Sequence, residues 1–504
     1  GARGVAAPAQ VRAPGDAVAV GPAVVRPPLL AARAGARATG PVPDGDAPAW
    51  GGGGGPAWAA GSRPLGVGTA TGRDADELAA SVRAYLPDEL GDVVAVLPSW
   101  ETLPHERLSP RADTVAKRIA VFRRLAHPDP EGGPSGPVRV LVMPVRALLQ
   151  PVVDGLGDLE PVELHAGTTA DLTDVAERLV AAAYTRVDMV ERRGEFAVRG
   201  GILDIFPPTE DHPLRVEFWG DEVSEIRWFA VADQRSLEIA EHGLWAPPCR
   251  EILLTDSVRA RAAALVEDLP GATEMLDRLA AGVAVEGMES LAPVLVDRMV
   301  PVLELVPDDA LLVVDDAERV RRRAHDLVAT TEEFLAAAWT GAVAGGKAPV
   351  DLSAASFETF SEVRAVAQRR GLGWWTLSSF ALDNPDLDVP PDADGSTARS
   401  TDGSTDAAGG GSGTTAAHVG ESADGVPTFT LGARDVESYR GDVARALDDV
   451  RGLQHAGWRL VLTTEGHGPA KRMVEQLGAA DTPARPVPRP DDAPGGGLVL
   501  VTPA

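Results

Sequence analysis

The stretch "RRGEFAVRGGILDIFPP", residues 192–208, decides the fold of its neighbourhood. Two runs of strand-forming residues flank Gly200 and Gly201. A Gly-Gly pair between such runs favours a two-residue hairpin turn, because glycine adopts the left-handed backbone conformations that these turns need. We therefore predict an antiparallel hairpin in which Phe196 lies opposite Ile205 and Arg199 lies opposite Ile202.

The two faces of this hairpin differ in chemistry. One is wholly apolar and is predicted to be buried; it carries Phe196, Val198, Leu203 and Ile205. The other carries Glu195, Ala197, Arg199, Ile202, Asp204 and, at the exit, Phe206. Arginine and aromatic residues are favoured in protein interfaces, which makes a docking surface one interpretation. The other is that Arg199 and Asp204 form a cross-strand ion pair while Phe206 packs on a neighbouring loop. The pattern leaves both open.

The sequence around the hairpin predicts a small antiparallel unit inserted into an α/β domain. The runs "LRVEFW" and "VSEIRWFA" follow closely as further strands, and residues 168–184 form a helix with a stripe of Leu172, Val175 and Leu179. On either side, buried-type strands such as "VRVLVMPV" and "DALLVVDD" alternate with helical patterns, as in a parallel sheet with helices on its faces. A second α/β unit is predicted beyond residue 346.

Charge and cysteine content narrow the classes of function. The formal charge is −27, and residues 184–238 hold seven arginines, no lysine and twelve acidic residues. A surface that follows nucleic-acid phosphates should be locally positive, so a protein partner fits this region better. The single cysteine, Cys249, excludes an internal disulfide and a cysteine-based metal site and fits a cytoplasmic location. No apolar run is long enough to cross a membrane.

Nucleotide chemistry is not supported by any motif. The segment "GVGTATGRDAD" (66–76) has the position of a phosphate-binding loop but neither its spacing nor its lysine, and Asp74 suits a helix cap. Two aspartates end the strand "LLVVDDAERV" (311–320), where the alternative to Mg²⁺ binding is a solvated acidic helix start. No histidine pair has the spacing of a zinc site. The residues therefore predict no catalytic, cofactor or metal site.

Several long motifs resemble the bacterial transcription-repair coupling factor family (Mfd), in its N-terminal module, which is similar to UvrB. The residues that carry the resemblance are "LPSWETLPHERLSPRADTVAKRIAVFRRL" (97–125), "YTRVDMVERRGEFAVRGGILDIFPP" (184–208) and "LRVEFWGDEVSEIRWFAVADQRSLE" (214–238). The resemblance extends over roughly residues 66–482. The arginine-rich composition of the sequence is similar to that of actinobacterial members of the family.

The resemblance implies an α/β fold: a RecA-like parallel-sheet domain interrupted by a small antiparallel α+β insert and followed by a second α/β domain. It implies that the ATP site kept by UvrB is lost here, and that the insert docks UvrA. The family pattern assigns UvrA contact to Arg186, Arg193, Arg199 and Phe206, and leaves Phe196 to the core.

The function implied is recruitment of UvrA to RNA polymerase stalled at DNA lesions, with restraint of the motor of the full-length protein. RNA polymerase, DNA, ATP and Mg²⁺ would be bound only by C-terminal domains that lie beyond this sequence. One alternative is an ATP-dependent DNA helicase like UvrB, and another is a structural arm that positions the motor. The start at glycine rather than methionine predicts a fragment.

The expected domain boundaries combine these observations. The low-complexity start is expected to be disordered, and a polar, glycine-rich insertion at 383–427 is expected to be disordered within the second α/β domain. The remaining parts are an interrupted RecA-like domain, the UvrA-binding insert and a linker toward the absent C-terminal domains. In chain order the segments are 1–65, 66–150, 151–238, 239–345, 346–482 and 483–504.

Overall fold

The structure is a computed structural model that falls into two compact units, Ala7–Ala433 and a second formed by Gly1–Ala6 with Arg434–Ala504. Each unit is described by itself. The residues that the structure describes are 17–20, 26–35, 64–103, 106, 108–129, 135–269, 271–343, 357–378, 418–421, 427–430, 439, 441–464, 466–487 and 499–503.

An eight-stranded sheet forms the centre of the larger unit, and we call it the main sheet. Its order is β17-β18-β1-β16-β15-β2-β4-β3, and every neighbouring pair is parallel except β17 with β18. The strands are β1 (Ala17–Val20), β2 (Leu65–Thr69), β3 (Val94–Val96), β4 (Val140–Pro144), β15 (Leu311–Asp315), β16 (Gly373–Ser378), β17 (His418–Glu421) and β18 (Pro427–Thr430).

Helices cover both faces of the main sheet, which is why its central strands are apolar along their whole length. Helices α1 (Arg26–Gly35) and α2 (Gly72–Ala84) pack on one face. The other face is covered by α3 (Ala112–Ala126), α4 (Val145–Leu149), α9 (Ala317–Val343) and α10 (Phe360–Arg369). The α/β class with a parallel sheet is therefore confirmed.

Two expected boundaries differ from the structure at this sheet. Within the segment 1–65, β1 pairs with β16 and β18, and Leu29 and Leu30 of α1 are buried, so these parts are not disordered. Strands β16, β17 and β18 complete the main sheet, so the second α/β unit begins later than the expected residue 346 and includes Arg434–Ala504. In the expected insertion 383–427, His418–Glu421 forms β17 and Pro427 begins β18, whereas residues 383–417 and 422–426 lie outside the described residues.

The insert is a six-stranded sheet with the order β12-β11-β10-β9-β8-β7, which we call the insert sheet. It is antiparallel except for the short parallel pair of β7 with β8. Helix α5 (Leu172–Ala181) packs on its inner face with Val175 and Leu179 buried, as the stripe predicts. Its strands are β7 (Thr185–Arg186), β8 (Glu195–Arg199), β9 (Ile202–Ile205), β10 (Leu214–Trp219), β11 (Glu222–Phe229) and β12 (Ser236–Ile239).

The insert extends past its expected end at residue 238. Strand β13 (Leu244–Ala246) returns to pair with β6 (Val162–Leu164), and both contribute to the core under the insert sheet. A fully buried ion pair between Arg118 of α3 and Glu251, just after the insert, joins the insert's exit to the main domain.

Short helices occupy much of the segment between the insert and β15, with a core of their own around Leu276, Met288 and Leu291. The helices are α6 (Asp256–Ala264), α7 (Thr273–Ala280) and α8 (Ala292–Leu295), and the strand β14 (Met299–Val300) pairs with β5 (Val152–Val153).

The second unit contains a parallel three-stranded sheet with the order β19-β21-β20. Its elements are α11 (Val443–His455), β19 (Leu460–Thr464), α12 (His467–Ala479), β20 (Ala484–Pro486) and β21 (Val499–Pro503). The segment 483–504 therefore supplies two strands, one of them central, and the expectation of a linker there is wrong.

Candidate protein-binding surface

The hairpin predicted from residues 192–208 forms as β8 and β9 with the expected register. Phe196 pairs with Ile205 and Arg199 pairs with Ile202. Phe196, Leu203 and Ile205 are completely buried in the core beneath the insert sheet, and Val198 packs against them. The assignment of the buried face is therefore confirmed.

The two glycines of the turn serve different purposes. Gly200 has a φ of +61°, a left-handed conformation that strains residues with a Cβ atom. At Gly201 an added Cβ atom would lie 2.9 Å from the carbonyl oxygen of Phe218 on β10. The turn therefore needs one glycine for its backbone angle and the other for the close approach of the next strand.

Phe206, which the family pattern assigns to UvrA contact, is buried in the structure. Its residue is 7% exposed and packs with Val190, Ala197 and Phe229 in a small core on the outer face of the insert sheet. Burial of a phenyl ring against apolar neighbours is a sufficient reason for a phenylalanine at this position. The ring thus packs within the insert, as in the second interpretation, but two of its three neighbours, Ala197 and Phe229, lie on β8 and β11 rather than on a loop.

Arg193 covers that small core from outside. Its guanidinium carbon lies 5.1 Å from the centre of the Phe206 ring, within the range of cation–π attraction. Its Nε donates to the carbonyl oxygen of Glu210 at 3.0 Å, and its Nη2 lies 3.4 Å from a carboxylate oxygen of Asp211. Arg193 thus uses two of its five N–H donors within the insert.

Arg199 and Asp204 form the cross-strand ion pair that was the alternative to an interface, with 3.0 Å between Nη2 and Oδ2. The two partners are not equivalent, because the Asp204 side chain is 2% exposed and that of Arg199 is 54% exposed. The same carboxylate accepts two hydrogen bonds from Arg215 on β10, at 2.7 and 2.9 Å. The pair therefore leaves the Arg199 side chain on the surface.

An open pocket of about 460 Å³ joins Arg199 to Arg186. It is lined by Arg186, Val187, Asp188, Val198 and Arg199. Arg186 is exposed on β7, the edge strand beside β8. Of the four residues assigned from the sequence, Arg186 and Arg199 share this pocket, while Arg193 and Phe206 form a separate stack on the same insert.

Two features of the surface were missed by sequence reasoning. Arg215 lies directly opposite Asp204 in the register of β10 with β9, and it could have been found by extending the cross-strand pairing to "LRVEFW". Trp219 is 83% exposed at the turn between β10 and β11. Nothing in the alternation of "LRVEFW" distinguishes its ring from one covered by a loop.

The crevice where a nucleotide would meet the main sheet is occupied by internal ion pairs. Asp74 accepts hydrogen bonds from the backbone and hydroxyl of Thr71 in a capping box at the start of α2, as predicted for a helix cap, and also pairs with Arg319. At the end of β15, Asp315 accepts a hydrogen bond of 2.9 Å from Arg26. Burial raises the pKa of Asp315, and Arg26 opposes that rise.

The acidic end of β15 therefore differs from the solvated helix start considered as an alternative, since the Asp315 side chain is largely buried and paired. In the part of the chain that the structure describes, no cluster of three or more histidine, cysteine or acidic residues could hold a metal ion. No helix among those residues is long and apolar enough to cross a membrane.

Comparison with known proteins finds a family model that matches the insert and relatives that match most of the chain. Residues 162–247 match the family model of the UvrB interaction domain. The chain is 45% identical to the transcription-repair-coupling factor of Mycobacterium tuberculosis over 459 aligned residues. This alignment covers 87% of this chain and 33% of that protein. With the Bacillus subtilis protein of the same name it is 27% identical, over 56% of this chain and 24% of the relative.

A shorter match is with the UvrABC system protein B of Acaryochloris marina, at 34% identity over 23% of this chain and 18% of that protein. The resemblance inferred from the sequence motifs is thereby confirmed. The chain spans a third or less of the length of these relatives.

Proposed function

We propose that this chain, a homologue of transcription-repair coupling factors that carries a UvrB interaction domain, docks UvrA during DNA repair coupled to transcription. The observation that carries the proposal is the exposed pair Arg186 and Arg199 around one pocket of the insert sheet. Arginine is over-represented among the residues that dominate protein-binding energy.

In the proposed role the chain recruits UvrA to RNA polymerase stalled at a lesion and restrains the motor of a longer protein. Contacts with RNA polymerase and DNA, together with ATP and Mg²⁺, belong in this proposal to other domains of that protein. The location is cytoplasmic, where transcription takes place in bacteria.

We also propose that the main sheet does not hydrolyse ATP. The support is chemical: the crevice at the carboxyl ends of β2 and β15 presents Asp74, Asp315 and Asp316, and none of the described residues that line it is a lysine. Carboxylates repel the phosphates of a nucleotide, and Arg26 and Arg319 are already paired with these three carboxylates. A nucleotide-binding titration separates this proposal from a UvrB-like helicase, which requires micromolar affinity for ATP.

Titration of the full chain with purified UvrA tests the docking proposal. Replacing Arg199→Ala is expected to weaken binding by about 1–3 kcal/mol, or roughly fivefold to 150-fold, because a charged anchor is lost. Arg178→Ala is the matched control, since Arg178 is a half-exposed arginine on α5, at the opposite face of the insert sheet. Absence of binding by the unaltered chain, or equal weakening by both substitutions, would contradict the proposal.

A structural arm without a docking role predicts a different result. It leaves UvrA affinity unchanged when both Arg186 and Arg199 are replaced by alanine.

A further inference from the structure

Asp204 is the most deeply buried charged group of the outer face of the insert sheet, and it organises the arginines around it. Its carboxylate is 2% exposed and accepts one hydrogen bond from Arg199 and two from Arg215. A buried carboxylate persists when charged partners and hydrogen bonds compensate its lost hydration. Here two strands supply those partners, β8 through Arg199 and β10 through Arg215.

Arg215 is fixed in place on several sides. Its Nε and Nη2 are held by Asp204, its Nη1 lies 3.2 Å from the carbonyl oxygen of Gln234, and its guanidinium carbon lies 4.9 Å from the centre of the Phe229 ring. Hydrogen bonding to Asp204 raises the pKa of Arg215. Asp204 and Arg215 therefore form a rigid unit, and the Asp204 carboxylate can accept a hydrogen bond from a third group.

Arg199 is that third group, and only its Nη2 is bound within the insert. Among the described residues, Asp204 is its recorded side-chain partner, through a single hydrogen bond from Nη2. A guanidinium carries more N–H donors than one carboxylate oxygen can use, so Arg199 keeps donors for another group. Its side chain is more than half exposed and lines the same pocket as Arg186.

The charges around the pocket favour an acidic occupant. Its charged lining residues are Arg186, Arg199 and Asp188, so the lining has an excess of positive charge. A carboxylate that lies in the plane of a guanidinium can take two parallel hydrogen bonds from it. Fixing that plane before binding lowers the entropy lost on association.

We propose that Asp204 is a positioning residue that orients the Arg199 guanidinium for an aspartate or glutamate side chain of the docked partner. The inference rests on the proposed function and adds the chemistry of recognition to it. Asp204 does not touch the partner, because its carboxylate is buried, and it acts through Arg199 alone.

A double-mutant cycle on the full chain tests this coupling. UvrA affinity is measured for the unaltered chain, Arg199→Ala, Asp204→Asn and the double variant. Asp204→Asn keeps the size of the side chain and is expected to weaken binding about tenfold, the loss typical of a charge-assisted hydrogen bond. In the Arg199→Ala background the same substitution is expected to change affinity by less than about twofold, because coupled residues are not additive.

Two outcomes overturn the inference and leave the docking proposal intact. In one, Arg199→Ala weakens binding while folded Asp204→Asn binds normally. In the other, the two substitutions weaken binding independently in the double variant. Failure of the unaltered chain to bind UvrA would instead remove the docking proposal itself.

Arg199→Lys provides a second test on the surface, in case Asp204→Asn does not fold. Lysine keeps the charge but lacks the planar fork that can contact Asp204 and a partner carboxylate together. We expect it to weaken binding about as much as alanine, and retention of full affinity overturns the inference. Arg199→Ala is also expected to reduce the dependence of affinity on salt, and an unchanged dependence argues against a carboxylate partner.

Discussion

Replacing Phe206→Ala separates a structural role from a binding role at the exit of the hairpin. The ring is almost completely buried among Val190, Ala197 and Phe229, and Arg193 stacks on its outer side. Truncation of a buried phenylalanine costs about 3–5 kcal/mol. Because this core is small and lies at the surface, where neighbours can collapse into the space, we expect a loss near 3 kcal/mol.

Hydrogen exchange of the backbone amides in β8 and β9 measures this loss locally. A decrease of about 3 kcal/mol in the free energy of local opening corresponds to exchange that is faster by roughly a hundredfold. UvrA affinity measured at low temperature, where the variant is folded, should fall much less. Phe334→Ala is the control, since Phe334 is a half-exposed phenylalanine on α9 and its loss should not affect β8 or β9.

Unchanged exchange in the hairpin of the Phe206→Ala variant, together with loss of UvrA binding, would contradict a structural role for the ring. That combination would show that the ring contacts the partner directly. It would also require the small core to open when UvrA docks.

The remaining predictions concern buried ionisable groups. Glu251→Gln should lower the free energy of unfolding, measured by thermal denaturation, by about 3 kcal/mol, because it leaves the Arg118 guanidinium buried without its charged partner. Replacing both residues, by Arg118→Met and Glu251→Leu, should recover most of the lost stability. Burial raises the pKa of Glu358 from 4.5 to about 7, so its contribution to stability is present below pH 4.5 and is lost as the pH rises through about 7. Between these limits the free energy of unfolding of the unaltered chain should fall by about 1 kcal/mol relative to that of Glu358→Gln, a small value because this side chain is partly solvated. The control is Glu238→Gln, at an exposed position. Equal pH profiles for the two variants would contradict the prediction. Burial raises the pKa of Cys249 to about 12, so a thiol reagent at about pH 8 should label it only after unfolding in urea, and labelling of the native chain would be the contrary result.

Local pattern was sufficient to predict the hairpin and its buried face. Alternation in "EFAVR" and "ILDIF" places Phe196, Leu203 and Ile205 on one side, and the structure buries all three. The same alternation correctly places Phe206 on the opposite side. It could not show that Val190 and Phe229, which come from other parts of the insert, cover that ring, because the covering depends on how distant segments fold back.

Which strands make up the main sheet was harder to predict, again because the pairing depends on distant segments. Strand β1 (Ala17–Val20) is short and lies in a segment rich in proline and glycine, so nothing local marks it as ordered. Its neighbours β16 and β18 are more than three hundred residues away in sequence. The ion pair of Arg26 with Asp315 joins residues 289 positions apart, and the local pattern at Asp315 gives no sign of so distant a partner.

The order of strands in the main sheet has a consequence for synthesis on the ribosome. The nascent polypeptide completes the insert, residues 162–247, well before β16 (Gly373–Ser378) has emerged to join β1 to β15. Contacts between sequence neighbours form faster than distant ones, and the insert sheet is built from successive hairpins. We therefore expect the pocket lined by Arg186 and Arg199 to form on the growing chain before the main sheet is complete.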